Sequence, residues 1–208
     1  MSDSERNDRL VSRRALLGTI GAAGATLVAL TAGQSFGWLS PLNFFGPRVQ
    51  GYGPQAVPVN TTAESAGVTA AAQASDWRLA VTNGDQTEQL SLAQLQALPQ
   101  IEARLPIACV EGWSTTADWS GVRLTDLLAR VDAPSGARIR FTSLQTGGAY
   151  SVTMMGPEFA EDATTLVALQ LNGTELDLDH GYPVRVMAPG RPGVLQTKWL
   201  SSIEVLPA

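Results

Sequence analysis

Cysteine, histidine and lysine each occur once in this chain of 208 residues, as Cys109, His180 and Lys198. A lone cysteine cannot close an internal disulfide, so the fold must be stable without one, and a thiol in an exported protein calls for a purpose. Charge is scarce too: 16% of the residues are charged and the net charge is −5. The 14 basic residues are nowhere clustered beyond Arg13-Arg14, so an acidic chain of this kind is a poor nucleic-acid binder. Internal repeats and a βαβ periodicity are both missing, which argues against a repeat array and a doubly wound sheet. What remains is a 44% hydrophobic chain with about 170 residues after its N-terminal segment, enough for one domain with its own core.

Residues 1–14 are polar and basic, carrying Arg6, Arg9, Arg13 and Arg14, and are read as a cytoplasmic segment. Ala15 to Ala32 is uncharged, and apolar residues continue through Phe36-Gly37-Trp38-Leu39. Residues 15–39 are therefore expected to be a transmembrane anchor or an export signal, since a span needs about 20 apolar residues. Ser12-Arg13-Arg14-Ala15-Leu16-Leu17 resembles a twin-arginine signal, with Gly18 where a lysine is usual. The favoured reading is an uncleaved single-pass anchor, its arginines inside and the domain outside. Residues 40–76 form a connector rich in Pro, Gly, Ala, Thr and Gln, without the pattern of a regular element and partly packed on the domain.

The globular pattern runs over residues 77–208. Trp77, Leu79 and Val81 alternate as in a half-buried strand, and Asn83-Gly84 signals a hairpin turn. Ser91 is placed as the N-cap of a short helix carrying Leu92, Leu95 and Leu98, stopped by Pro99. Arg104 to Val110 is read as the central, buried strand. Leu124, Leu127, Leu128 and Val131 recur at the spacing of a core-facing helix. Further strands are expected at 138–142, 150–154, 165–171, 184–187 and 199–205, with Asn172-Gly173 closing a hairpin. The expected class is α+β, a mixed, mostly antiparallel sheet with local helices.

Cys109 falls where the strand Arg104–Val110 meets Gly112-Trp113, and Trp119-Ser120-Gly121 makes a second aromatic-glycine break. A thiolate at such a turn serves as a soft metal ligand or a nucleophile, and a buried cysteine also serves as a small apolar side chain. The residue alone leaves all three open. Two segments narrow the choice. Cys109-Val110-Glu111-Gly112-Trp113-Ser114 followed by W-x-G-V-x-L-x-x-L-L, and His180-Gly181-Tyr182-Pro183-Val184-Arg185 followed by a Pro-Gly loop and Gln196-Thr197-Lys198-Trp199, resemble the sulfite oxidase / oxidoreductase molybdopterin-binding family. The likeness extends over about residues 57–207.

The resemblance implies the sulfite oxidase molybdopterin-binding fold and Mo-molybdopterin as cofactor. It makes Cys109 the catalytic residue and the protein's ligand to molybdenum. It places cofactor-binding residues at Asn60, Thr61 and Thr62 before the first strand and at Ser143, with Thr142 as second choice. The remaining ones are His180, Arg185, Gln196, Thr197 and Lys198. These types suit a cofactor that ends in a phosphate: Arg185 and Lys198 supply cations, and the glycines of the loop let backbone N–H groups approach. Glu111 is a candidate for orienting the site, and Trp113 and Trp119 for aromatics at its rim.

The implied activity is oxygen-atom transfer outside the cytoplasmic membrane, of the sulfite-oxidation or sulfoxide-reduction type. The implied partners are a small-molecule or protein-sulfoxide substrate and a membrane or soluble electron-transfer protein. Gly112-Trp113-Ser114 stands where sulfite oxidases carry Gly-Asn-Arg, which brings the chain closer to the bacterial subunits that reduce oxidised methionine. A non-catalytic pterin-binding module and a cysteine-dependent hydrolase using Cys109 and His180 are the alternatives.

Overall fold

A computed structural model describes residues 53–109 and 113–207. The segments expected at 1–14 and 15–39, the first part of the connector, and Glu111 lie outside the described residues. Connector residues from Gly53 onward pack on the domain. They form a 3-10 turn at Pro54–Ala56 and a one-turn helix α1 at Thr69–Ala72, and Ala63, Val68 and Ala72 bury themselves against Trp199.

The alternation after Trp77 folds as an antiparallel hairpin of β1 (Arg78–Asn83) and β2 (Gln86–Ser91), turning at Asn83-Gly84. Ser91 caps helix α2 (Leu92–Ala97) reciprocally: its hydroxyl accepts from the Gln94 N–H, and the Gln94 side chain accepts from the Ser91 N–H. β3 (Ile101–Ala108) and β4 (Ser114–Arg123) form a second hairpin, followed by helix α3 (Leu124–Ala129) with Leu124, Leu127 and Leu128 turned into the core. Then come β5 (Arg138–Ser143), β6 (Val152–Met155), helix α4 (Pro157–Ala160) and β7 (Leu166–Leu171). β8 (Thr174–Glu175), β9 (Arg185–Met187) and β10 (Leu200–Leu206) complete the order.

The strands make two sheets where one was expected. The first runs β2-β1-β10-β5-β6, with β1 and β10 parallel and the other neighbours antiparallel. The second runs β3-β4-β7-β8, with β9 beside β7. The α+β class and the mostly antiparallel pairing are as anticipated. The reason for two sheets is legible in β7, whose Leu166-Val167-Ala168-Leu169 is apolar without alternation, the mark of a strand covered on both faces. Val167 and Leu169 join the core shared by both sheets, while Leu166 and Ala168 face a second core with Leu105, Ile107, Trp119 and Val57.

Two expectations change. β3 is an edge strand, neither central nor fully buried: its residues alternate between exposed and buried, and it pairs only with β4. Pro106, which has no N–H to give a ladder, is the residue in it that fits an edge. The break read at Trp119-Ser120-Gly121 lies inside β4, where the ladder to β7 shifts register between Ser120 and Gly121. Among the described residues no helix is long and apolar enough to cross a membrane.

Candidate cofactor cleft

The β3–β4 hairpin delivers Cys109. Its last paired rung is Ala108 with Ser114, and beyond it the Cys109 N–H donates to the Trp113 carbonyl at 2.9 Å. The cysteine is therefore held at the hairpin tip by main-chain bonds rather than left on a long loop. The Pro-Gly loop before β10 packs against the same tip. A Cβ on Gly193 would stand 2.8 Å from the Ala108 carbonyl oxygen, so the glycine allows the loop to close on β3. Gly193 also lines the cleft, so the close approach to β3 is a second demand on it beside the approach to phosphate expected of the loop glycines.

Cys109 lines a cleft with about 810 Å³ of empty space including its open mouth. Asn60, Thr61, Ser143, His180, Arg185, Gln196, Thr197 and Lys198 line the same cleft. Of the residues expected to bind cofactor, Thr62 is the one that does not. Its hydroxyl accepts from the Ser65 N–H at 3.1 Å and bonds the Ser65 hydroxyl, shaping a turn on the surface. Thr142 is likewise outside the cleft wall, whereas Ser143 is buried, donates to the Lys198 carbonyl at 2.8 Å and accepts from the Gln145 N–H.

Arg185 is 3% exposed and enters the cleft wall from β9. Its Nη1 donates to the His180 carbonyl at 3.0 Å and its Nη2 to the Gln196 carbonyl at 3.4 Å, and the guanidinium stacks 5.0 Å from the Trp119 ring centre. No carboxylate lies within ion-pair distance of it among the described residues. Burial alone pushes its pKa down to about 9, which leaves it a cation at neutral pH. His180, 2% exposed, donates from Nε2 to the Pro54 carbonyl at 2.6 Å, since that carbonyl can only accept. Burial, then the neighbouring Arg185 and Lys198 charges, lower its pKa against the opposing effect of the Pro54 bond.

Lys198 differs from the expectation in where its ammonium points. Nζ donates to Asn60 Oδ1 at 3.1 Å, to the Asp179 carbonyl at 2.9 Å and to the Thr61 carbonyl, and it sits 4.4 Å from the Trp199 ring centre. An ammonium has three N–H donors, so an anion reaching Lys198 must displace one of these acceptors. The lysine thus binds the connector to the strand that follows the loop. Gln196 donates to the Arg191 carbonyl, and Thr197 pairs with Thr153 at 2.7 Å.

The cleft fits a bound anion with polar substituents. A buried guanidinium without a carboxylate is electrostatically incomplete, and a buried polar atom without a partner asks for one. Arg185 Nε and Gln196 Oε1 are both such atoms. The described residues contain no group of three His, Cys, Asp or Glu able to hold a metal. Cys109 is the one thiol of the sequence, so a metal held in this cleft could draw at most one thiolate from the protein, with its further ligands coming from whatever fills the cleft. Gln145, Tyr150, Val194 and Asp179 also line the cleft; none carried a sequence signal, because each is a common loop residue whose position depends on the two sheets meeting.

Comparison with known proteins supplies a family, relatives and a fold neighbour. Human mitochondrial sulfite oxidase is 33% identical over 150 residues, covering 60% of this chain and 28% of that protein. A putative protein-methionine-sulfoxide reductase subunit from Azospira oryzae is 30% identical over 115 residues, 55% of this chain and 43% of that one. The chain spans under half the length of either relative. In three dimensions it superposes on the sulfane dehydrogenase SoxCD of Paracoccus pantotrophus with a TM-score of 0.55 at 23% identity, covering 63% of this chain and 38% of the other, a likeness of fold. Residues 66–208 match the family described as the oxidoreductase molybdopterin binding domain, and this chain belongs to that family.

Proposed function

We propose that the chain is the catalytic, Mo-molybdopterin-binding part of an oxidoreductase that transfers an oxygen atom, of the sulfite-oxidising or sulfoxide-reducing type. The observation that carries this reading is the meeting in one cleft of Cys109 with a buried Arg185 that pairs with no carboxylate among the described residues. When bound, the cofactor supplies the redox chemistry at its metal. The protein's own residues do the rest. Cys109 offers one thiolate at a fixed hairpin tip. Arg185 would hold the cofactor's phosphate with a buried positive charge that low polarity strengthens. His180 and Gln196 offer hydrogen-bonding atoms, and Asn60, Thr61 and Lys198 close the connector side.

The relatives named as sulfite oxidase and as a methionine-sulfoxide reductase subunit support both reaction directions. The absence of an arginine in Gly112-Trp113-Ser114 favours a substrate less anionic than sulfite, such as a protein or small-molecule sulfoxide. A membrane or soluble electron-transfer protein would complete the cycle. Arg13-Arg14 and the uncharged run from Ala15 support a single-pass protein whose catalytic domain, residues 77–208, lies on the extracytoplasmic side. The test is to purify the chain from a host that makes the cofactor and assay molybdenum, pterin, sulfite oxidation and methionine-sulfoxide reduction together. Bound metal and pterin with one of the two activities supports the reading. Pterin without turnover makes it a binding module, and neither metal nor pterin removes the reading.

A further inference from the structure

Residues 57–61 precede the first strand by some distance in the chain, yet Val57, Pro58, Val59, Asn60 and Thr61 all wall the cleft. What anchors them is Gln55, which does not line it. Gln55 Nε2 lies 3.0 Å from the Leu171 carbonyl, 2.9 Å from the Glu175 carbonyl and 2.6 Å from Thr174 Oγ1. Its Oε1 accepts from the Asp177 N–H at 2.9 Å, and its main-chain carbonyl accepts from Asn172 Nδ2 at 2.8 Å. One side chain thereby fills the β7–β8 turn and the chain leaving it.

The backbone at this point is unusual. Gln55 and Ala56 stand at φ 55° and 58°, successive residues in the left-handed region that L side chains seldom enter. Such a pair needs holding by its surroundings, and the Gln55 amide provides the hold. The reversal sends Val57, 1% exposed, into the second core and carries Asn60 to Lys198. Just before the anchor, His180 holds the Pro54 carbonyl; beyond it the chain is tied by Lys198 to Thr61 and by the Ala63 N–H to Asp179 Oδ1 at 2.8 Å.

We propose that Gln55 is a positioning residue of the cleft, whose amide holds residues 57–61 as a closed strap over the bound cofactor and so sets how long the cofactor stays. The proposal rests on the cofactor reading above. It concerns retention, since Gln55 does not line the cleft.

The test compares cofactor-loaded wild type with Gln55→Met, nearly equal in size but without the amide, with Gln55→Glu, which lacks the donor, and with Ala56→Gly, which eases the backbone and keeps the anchor. Two quantities are read: the rate of pterin loss into cofactor-free buffer, and amide hydrogen exchange at 57–61 beside that of β1, β5 and β10. Both Gln55 variants should lose pterin roughly tenfold faster, equivalent to about 1.4 kcal/mol. Exchange should rise at 57–61 with the strands unchanged, and Ala56→Gly should match wild type. Wild-type retention in both Gln55 variants overturns the proposal alone, as does exchange that rises equally in the strands. Wild type purified without pterin overturns the cofactor reading, and this proposal with it.

Discussion

The Arg185 guanidinium donates back to the main-chain carbonyl of His180, five residues earlier, at 3.0 Å. That bond gives the spacing of the two residues a physical meaning, because it folds the chain between the Leu178–His180 turn and β9 so that both side chains reach one cleft. The charge it buries is not matched by any carboxylate among the described residues.

Arg185→Met should therefore act on the cofactor far more than on the fold. Losing one member of a buried charge pair costs on the order of 2–5 kcal/mol in binding, so pterin content per purified chain should collapse. The apolar side chain removes the cost of burying an unmatched cation but leaves the His180 and Gln196 carbonyls without its donors, so the thermal midpoint of the cofactor-free protein should fall only slightly. A midpoint that falls while pterin content holds would assign Arg185 a purely structural role.

Gly193→Ala tests the contact between loop and hairpin. The added carbon would meet the Ala108 carbonyl oxygen at 2.8 Å, a main-chain atom that cannot swing aside, so either the loop or the hairpin tip moves. Because Cys109 follows directly, the variant should keep most of its pterin and show an altered thiolate–metal absorption. An unchanged spectrum would mean that the loop yields and the tip stays in place.

Much of the cleft could be anticipated because its chemistry is concentrated in rare residues. Cys109, His180 and Lys198 are single copies, and a resemblance in two short segments was enough to place them together. The Ser91 cap, the Asn83-Gly84 turn and the Leu124 stripe were readable for a different reason, since each depends on local spacing. Strand β4 gives no sequence signal because Ser114-Thr115-Thr116-Ala117-Asp118 has no apolar run; its place is set by pairing with β3 and β7. Gln55 gives no sequence signal because a glutamine in a Pro-Gly connector looks like a solvated linker residue, and its partners lie more than a hundred positions away. The direction of Lys198 toward Asn60 and Thr61 was hidden for the same reason.

The sole histidine gives a pH dependence with a definite sign. Burial, ahead of the Arg185 and Lys198 charges, holds the folded-state pKa of His180 below its ordinary value, which is about 6.5 in an unfolded chain. Below that value the unfolded chain takes up a proton that the native state refuses, so stability falls as pH drops from about 6.5 toward the lowered pKa and then levels. His180→Gln should flatten this part of the curve of denaturation midpoint against pH. An equally steep slope in the variant would move the effect to other groups.

Replacing Arg13 and Arg14 by lysine tests the proposed topology. If the folded, cofactor-loaded domain is exported through a twin-arginine route, the variant should accumulate loaded protein inside the cell, as fractionation would show. Normal export of the variant would leave the arginines the simpler task of orienting an anchor.

The most direct test of the account is the metal-centre absorption spectrum of Cys109→Ser beside that of wild type, both purified from a cofactor-producing host. Serine keeps the size of the side chain but is a harder, far less acidic ligand than a thiol. The prediction is that the variant folds and retains pterin, since Arg185 and the strap are intact, while the thiolate-to-metal charge-transfer band and turnover disappear. A variant with the wild-type band and wild-type turnover would show that Cys109 is not the metal's ligand.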